Sequence, residues 1–166
     1  ARGMRVSGHI PVFLRAEEAV NAGYDEIQHI NQVLLNFLVT PTTDTRTLQR
    51  FVLPAEKVGD LDFNSKPVRD FIALLKQKKI VIDPTVVTFE FLRQRDGTVP
   101  EAYAPIMDNV PIDLQRSFRV GTMKIPDDAA AERYAKSYEK MLQFVGILYK
   151  EGIPIVAGTD AIPGFT

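Results

Sequence analysis

Two histidines and one aspartate stand out in this sequence, because each ends a short segment that is typical of a buried strand. The residues and their segments are His9 in 4–9, His29 in 25–29 and Asp160 in 155–160. His9 and His29 are the only histidines in the chain. The carboxyl ends of the strands form the edge where ligands bind in α/β folds. Neutral imidazole and carboxylate side chains at that edge suit Zn²⁺ and similar divalent ions.

Such a cluster predicts metal-assisted hydrolysis. A bound metal ion lowers the pKa of water toward neutrality, and a nearby carboxylate can take the proton and pass it to a leaving group. Asp160 is the candidate for that proton transfer as well as for metal binding. Each residue alone also has a structural interpretation, as a hydrogen-bonded histidine or as a turn or helix-capping aspartate. The placement of all three at strand ends favours the metal interpretation.

The order of strand-like and helical segments positions these residues. The segments predicted as strands are 4–10, 24–30, 80–85 and 153–158. The segments predicted as helices are 15–22, 31–39, one near 45–51, one after Ser65, and 127–150. This alternation predicts one domain over 1–166 with parallel strands joined by helical crossovers. The domain would be half of an eight-stranded β/α barrel or a small open sheet.

Composition excludes several classes of function. The net charge of −1 leaves no basic surface for nucleic acid or an anionic membrane. The absence of cysteine excludes disulfides, thiolate metal sites and cysteine nucleophiles, and it fits cytosol and periplasm equally well. No apolar run approaches the length needed to cross a bilayer.

The strand-end motifs resemble those of the amidohydrolase superfamily of metal-dependent hydrolases, especially its imidazolonepropionase-like and Xaa-Pro dipeptidase-like branch. The segment 6–29, which contains Val6-Ser7-Gly8-His9-Ile10-Pro11, resembles the fifth strand, helix and sixth strand of that family. Asp83-Pro84-Thr85 resembles the end of the seventh strand, and Ala157-Gly158-Thr159-Asp160-Ala161 resembles the eighth-strand motif. The segment Pro163-Gly164-Phe165-Thr166 is similar to the stretch after the eighth strand in this branch.

The resemblance implies a partial (β/α)8 TIM barrel made of about the last four βα units, strands 5 to 8. It implies that His9, His29 and Asp160 bind one or two divalent ions, normally zinc, and that Asp160 is also the general base. The reaction it implies is the cleavage of an amide or peptide-like C–N bond in a small molecule or short peptide by metal-activated water.

Parts of the family's pattern are absent from this sequence. No His-x-His pair occurs in this sequence, and the resemblance places the family's carboxylated lysine on a fourth strand that would precede residue 1. We therefore expect the chain to be part of a larger hydrolase, inactive alone, and to self-associate or to need a missing N-terminal half of the barrel. Two alternatives remain open: a non-enzymatic α/β module with structural histidines, and a single-metal, deaminase-type member.

Three further residues between the third and fourth predicted strands could meet a substrate carboxylate: Arg93, Arg95 and Tyr103. Their favoured interpretation is that they are solvated surface residues, and we leave them out of the expected site.

Overall fold

Helices dominate the fold, which is described by a computed structural model over residues 3–101 and 103–160. They account for 52% of the structure. The α-helices are α1 (Ala16–Asn21), α2 (Ile30–Leu34), α3 (Gln49–Lys57), α4 (Lys66–Lys78), α5 (Ile112–Ser117) and α6 (Asp128–Lys150). Short 3-10 helices cover Leu35–Phe37, Val58–Asp60, Val86–Arg93 and Ala104–Asn109.

A small parallel sheet lies against these helices. Its strands are β1 (Ser7–Gly8), β2 (Glu26–Gln28) and β3 (Val81–Asp83), in the order β1-β2-β3. Ile27 lies opposite Ile82, and both side chains are fully buried in the same hydrophobic cluster as the helices. One face of the sheet is therefore covered by helices.

The prediction of a partial (β/α)8 TIM barrel with four parallel strands is wrong. In the described residues, the predicted fourth strand makes a single parallel bridge, from Ile155 to Ile82. The strands are only two or three residues long, and β1 is paired on one side only. A barrel requires every strand to pair on both sides around a closed circuit. The alternation of segments favoured parallel pairing, but it carried no information about closure, and the observed arrangement is a small open sheet.

The helix predicted over 127–150 is confirmed as α6, which contributes more buried residues to the core than any other helix. Asp127 caps its first turn by accepting a hydrogen bond from the Ala130 N–H at 2.7 Å. Phe144 is fully buried, with its ring centre 4.8 Å from that of Phe63 and 6.4 Å from that of Phe37. The other large buried side chains of α6 are Tyr134, Tyr138, Met141 and Leu148. Tyr149, near the end of the same helix, is 73% exposed.

Polar contacts fix α6 against α3 and the turn after it. The buried Ser137 hydroxyl accepts a hydrogen bond from the Gly59 N–H at 2.9 Å and donates one to the Ala55 carbonyl at 2.7 Å. Arg133 pairs with Glu56 at 2.9 Å, and this hydrogen bond lowers the pKa of the Glu56 carboxyl. The buried hydroxyl satisfies two backbone groups that would otherwise be costly to bury.

Helix α4 leads into β3, and its boundaries agree with the sequence signals. Ser65 is its N-cap residue and a proline stands in its first turn. The helix predicted after Ser65 is confirmed, and it buries a regular stripe made of Val68, Phe71, Ile72 and Leu75. The helix ends at Lys79, whose φ of 56° is left-handed, and the Ile80 N–H then bonds back to the Leu75 carbonyl. This turn at the end of α4 leads the chain directly into β3, which pairs with β2.

Candidate functional site

The carboxyl edge of the sheet brings the two histidines together. His9 directly follows β1, and His29 directly follows β2. Because these strands are parallel neighbours, the residues after them lie side by side. The two imidazole centres are 4.5 Å apart, with the ring planes at 70°. His29 is buried and His9 is exposed, so the pair runs from the protein interior to its surface.

Asp160 lies at the same edge. Its carboxylate Oδ2 is 3.8 Å from Nε2 of His29, and its side chain is 47% exposed. This separation is too long for a hydrogen bond. The structure therefore places His29 close to both of the other residues that the sequence singled out, His9 and Asp160. The end of the eighth-strand motif, from Ala161 onward, and the segment 163–166 lie outside the described residues.

The spacing of the donor atoms bears on whether a zinc ion fits this edge. Two ligand atoms on one tetrahedral zinc ion, each about 2.0–2.1 Å from it, lie about 3.4 Å apart. The 3.8 Å between His29 and Asp160 is close to that spacing. Over residues 3–101 and 103–160, however, no three His, Cys, Asp or Glu side chains form a group that could hold a metal ion. The donor types and the His29–Asp160 distance fit zinc, whereas the described residues do not form a complete three-ligand group.

The electrostatic environment of His29 favours its neutral form. Burial is the largest influence and lowers the pKa of the imidazole, and nearby His9 lowers it further. Asp160 and Asp83 oppose this shift because their negative charges stabilise the imidazolium, while Arg50 adds to the lowering. Neutral imidazole is the form that binds a metal ion.

Residues at and just after the end of β3 support both His29 and Asp160. The Thr85 hydroxyl lies 2.7 Å from Nδ1 of His29. The Asp83 carboxylate accepts a hydrogen bond from the Gly158 N–H at 3.0 Å, and the Thr88 hydroxyl donates one to the Thr159 carbonyl at 2.6 Å. Sequence reasoning did not place these residues in the site. The signal was present, since Asp83-Pro84-Thr85 ends a strand at the same edge as both histidines.

The backbone at this edge is strained. Three residues have a left-handed φ although none is glycine: 69° at His29, 41° at Thr85 and 51° at Asp160. This conformation is uncommon for any side chain and is a genuine outlier for a β-branched residue such as threonine. Residues held in such conformations cluster at functional sites, where the surrounding structure enforces them.

The three residues considered for substrate carboxylate binding have partners within the fold. Arg93 pairs with Glu90 at 3.0 Å and with Glu139 at 3.5 Å. Arg95 pairs with Asp128 at 2.6 Å. Tyr103 packs its ring against Phe118, with centres 5.3 Å apart. Their interactions are accounted for without a ligand.

Together, fold and site define a helix-rich protein whose small parallel sheet carries a His–His–Asp cluster at its carboxyl edge. Comparisons with protein-family models, with curated proteins and with solved structures gave no match. The likeness to the amidohydrolase superfamily consequently depends on the motifs alone. In the part of the chain that the structure describes, no helix has both the length and the apolar character to cross a membrane.

Proposed function

We propose that this chain carries part of the active site of a zinc-dependent amidohydrolase, with His9, His29 and Asp160 as metal ligands. The supporting observation is the convergence of these side chains, with imidazole centres 4.5 Å apart and a carboxylate oxygen 3.8 Å from Nε2 of His29. The proposed substrates are small molecules or short peptides that contain an amide or peptide-like C–N bond. Nucleic acid is not among the proposed partners.

The solvent exposure of each residue suits it to a different role in the proposed site. His29 is buried and neutral, and its Nε2 atom faces the Asp160 carboxylate, so it supplies a fixed donor atom. Asp160 is half exposed, so its carboxylate can reach a water molecule, take its proton and return that proton to the leaving nitrogen. When bound, a zinc ion supplies Lewis-acid polarisation and lowers the pKa of water. The exposed His9 completes the set on the solvent side.

Zinc binding should depend on each of the three side chains. We expect His9→Ala, His29→Ala and Asp160→Asn each to weaken zinc affinity by at least about tenfold, since even loss of a supporting contact weakens metal sites by that factor. The measurement is a calorimetric zinc titration of the chelator-treated chain, with metal content checked by mass spectrometry. Asp113→Asn is the matched control, because this exposed carboxylate on α5 pairs only with Arg116 among the described residues.

The same titration separates the alternatives. Zinc affinity that falls in His29→Ala and Asp160→Asn but not in His9→Ala would support a single-metal site, in which His9 contacts substrate. Its supporting observation is that the Asp160 carboxylate lies 3.8 Å from the His29 ring, so these two side chains alone could begin a metal site. Wild-type affinity no higher than that of all three variants would leave the histidines structural and would contradict the proposed function.

We also propose that the chain self-associates through its sheet edge. Within the described residues β1 has no partner strand on its outer side, and unpaired strand edges are templates for pairing with another chain. Met4 and Val6 beside it are exposed apolar residues. We expect native mass spectrometry to show dimers, and Val6→Lys to shift the distribution toward monomer. A wild-type chain that stays monomeric at high micromolar concentration would contradict this.

A further inference from the structure

The contact between Thr85 and His29 decides which ring atom of the histidine faces the site. Thr85 is 3% exposed, and its hydroxyl lies 2.7 Å from Nδ1 of His29. With Nδ1 engaged on the protein side, Nε2 is the ring atom that faces the Asp160 carboxylate. A side chain with one hydroxyl therefore fixes the rotation of the imidazole ring about its bond to Cβ.

We propose that Thr85 is a positioning residue, whose hydroxyl holds Nδ1 of His29 so that Nε2 is directed toward Asp160 and any ligand bound there. The functional meaning of this contact rests on the proposed zinc site, but the hydrogen bond itself does not. Hydrogen bonds to the ring nitrogen that faces away from the metal set the tautomer and the orientation of metal-binding histidines.

The hydrogen-bond inventory specifies the proton positions in the metal-free chain. A threonine hydroxyl can donate or accept, whereas a neutral imidazole donates from one nitrogen and accepts at the other. When the Thr85 O–H donates to Nδ1, the proton of the neutral ring lies on Nε2 and points toward the negative charge of the Asp160 carboxylate, whose Oδ2 atom is 3.8 Å away. When Nε2 binds a ligand, its proton leaves, Nδ1 takes one up, and the hydroxyl rotates to accept it. The ring stays neutral throughout, and a hydroxyl serves both states where a fixed acceptor would serve only one.

Backbone strain supports a specific role for this residue. The φ of 41° at Thr85 and that of 69° at His29 are both left-handed, a conformation that persists only where the surrounding structure enforces it. Asparagine or glycine would adopt this conformation more easily than a β-branched side chain. The threonine hydroxyl supplies the hydrogen bond to Nδ1 that neither glycine nor an aliphatic residue could make.

The test compares Thr85→Val with Thr85→Ser by nitrogen-15 NMR of the histidine rings. Valine keeps the shape and branching of threonine but has no hydroxyl, whereas serine keeps the hydroxyl. In the metal-free chain at about pH 8, where imidazole is ordinarily neutral, we expect the wild type and Thr85→Ser to carry the proton on Nε2 and to show a hydrogen-bonded Nδ1. In Thr85→Val the Nδ1 resonance should move toward that of a free imidazole nitrogen, while the His9 resonances stay in place. An unchanged Nδ1 resonance in Thr85→Val would overturn the proposal, because the hydroxyl would then make no hydrogen bond to that atom.

A zinc titration of the same three proteins separates this inference from the proposed function. We expect Thr85→Val to weaken zinc affinity by about 10–100-fold and Thr85→Ser to retain it. Equal affinity in the wild type and Thr85→Val would refute the positioning role while leaving the zinc site intact. A wild type that binds no zinc would refute the proposed function, and the NMR result from the metal-free chain would still decide the role of Thr85.

Discussion

Phe144→Ala is expected to lower the free energy of unfolding by about 3–5 kcal/mol, the usual cost of removing a buried phenylalanine ring. Phe144 is fully buried on α6, where its ring contacts Phe37 and Phe63. Because these partners come from different parts of the chain, a local shift of a single element would not close the cavity. Total stabilities of about 5–15 kcal/mol make this a large fraction. Thermal unfolding measured by circular dichroism should show a melting temperature lower by roughly 6–20 °C.

The matched control for that change is Tyr149→Ala. It removes an aromatic side chain from the same helix, but Tyr149 is 73% exposed. Its stability should therefore stay within about 0.5 kcal/mol of the wild type. Equal losses in the two variants would contradict the orientation of α6, because a buried and an exposed position would then give the same result.

Gly158→Ala is expected to destabilise the chain by about 1–3 kcal/mol, as overpacking does, and to abolish the hydrogen bond that holds the Asp160 loop. A Cβ atom at Gly158 would lie 2.6 Å from the Asp83 Cγ and closer still to both carboxylate oxygens. Either the carboxylate or the loop must move, and the Gly158 N–H then loses its acceptor. Chemical denaturation measures the stability, and zinc affinity should fall together with it because Asp160 is displaced from His29.

Gly146→Ala provides the control with the opposite sign. Gly146 lies within α6, and a Cβ atom there would meet nothing within 4 Å. Alanine should stabilise this helix by about 0.5–1 kcal/mol.

The double variant Asp83→Ala with Gly158→Ala tests whether the clash with the Asp83 carboxylate causes the loss of stability, because it removes that carboxylate. It should be no less stable than Asp83→Ala alone, and an additive loss would show that the clash is not the cause.

Sequence signals predicted those helices whose N-cap residues and apolar periodicity lie within the helix segment itself. Helix α6 has an aspartate cap and a sustained apolar face, and α4 has a capping serine, a proline in its first turn and a regular buried stripe. The pairing of the strands could not be predicted from such local signals. Whether residues 153–158 pair along their length with β3, and whether β1 gains an outer partner, is determined by distant parts of the chain rather than by local pattern. The barrel prediction failed for this reason.

In the candidate site, too, some residues could be predicted from local sequence and others could not. His9, His29 and Asp160 could be selected from the sequence because each is a metal-binding residue type at the end of a strand-like segment. Thr85 and Asp83 were missed as site residues, because threonine and aspartate after a strand are common in turns. Their roles depend on hydrogen bonds to partners that lie 56 and 75 positions away in the chain, which no local pattern reports.

The contacts of α6 with residues far earlier in the chain affect the order in which the protein can fold. Its Ser137 hydroxyl bonds to residues 78 and 82 positions earlier in the chain, and Phe144 packs against Phe37 and Phe63. A ribosome adds about 5–20 residues per second, so the earlier half of the core waits several seconds for its partner. During that interval the side of α3 that α6 covers in the finished fold has not yet gained its partner.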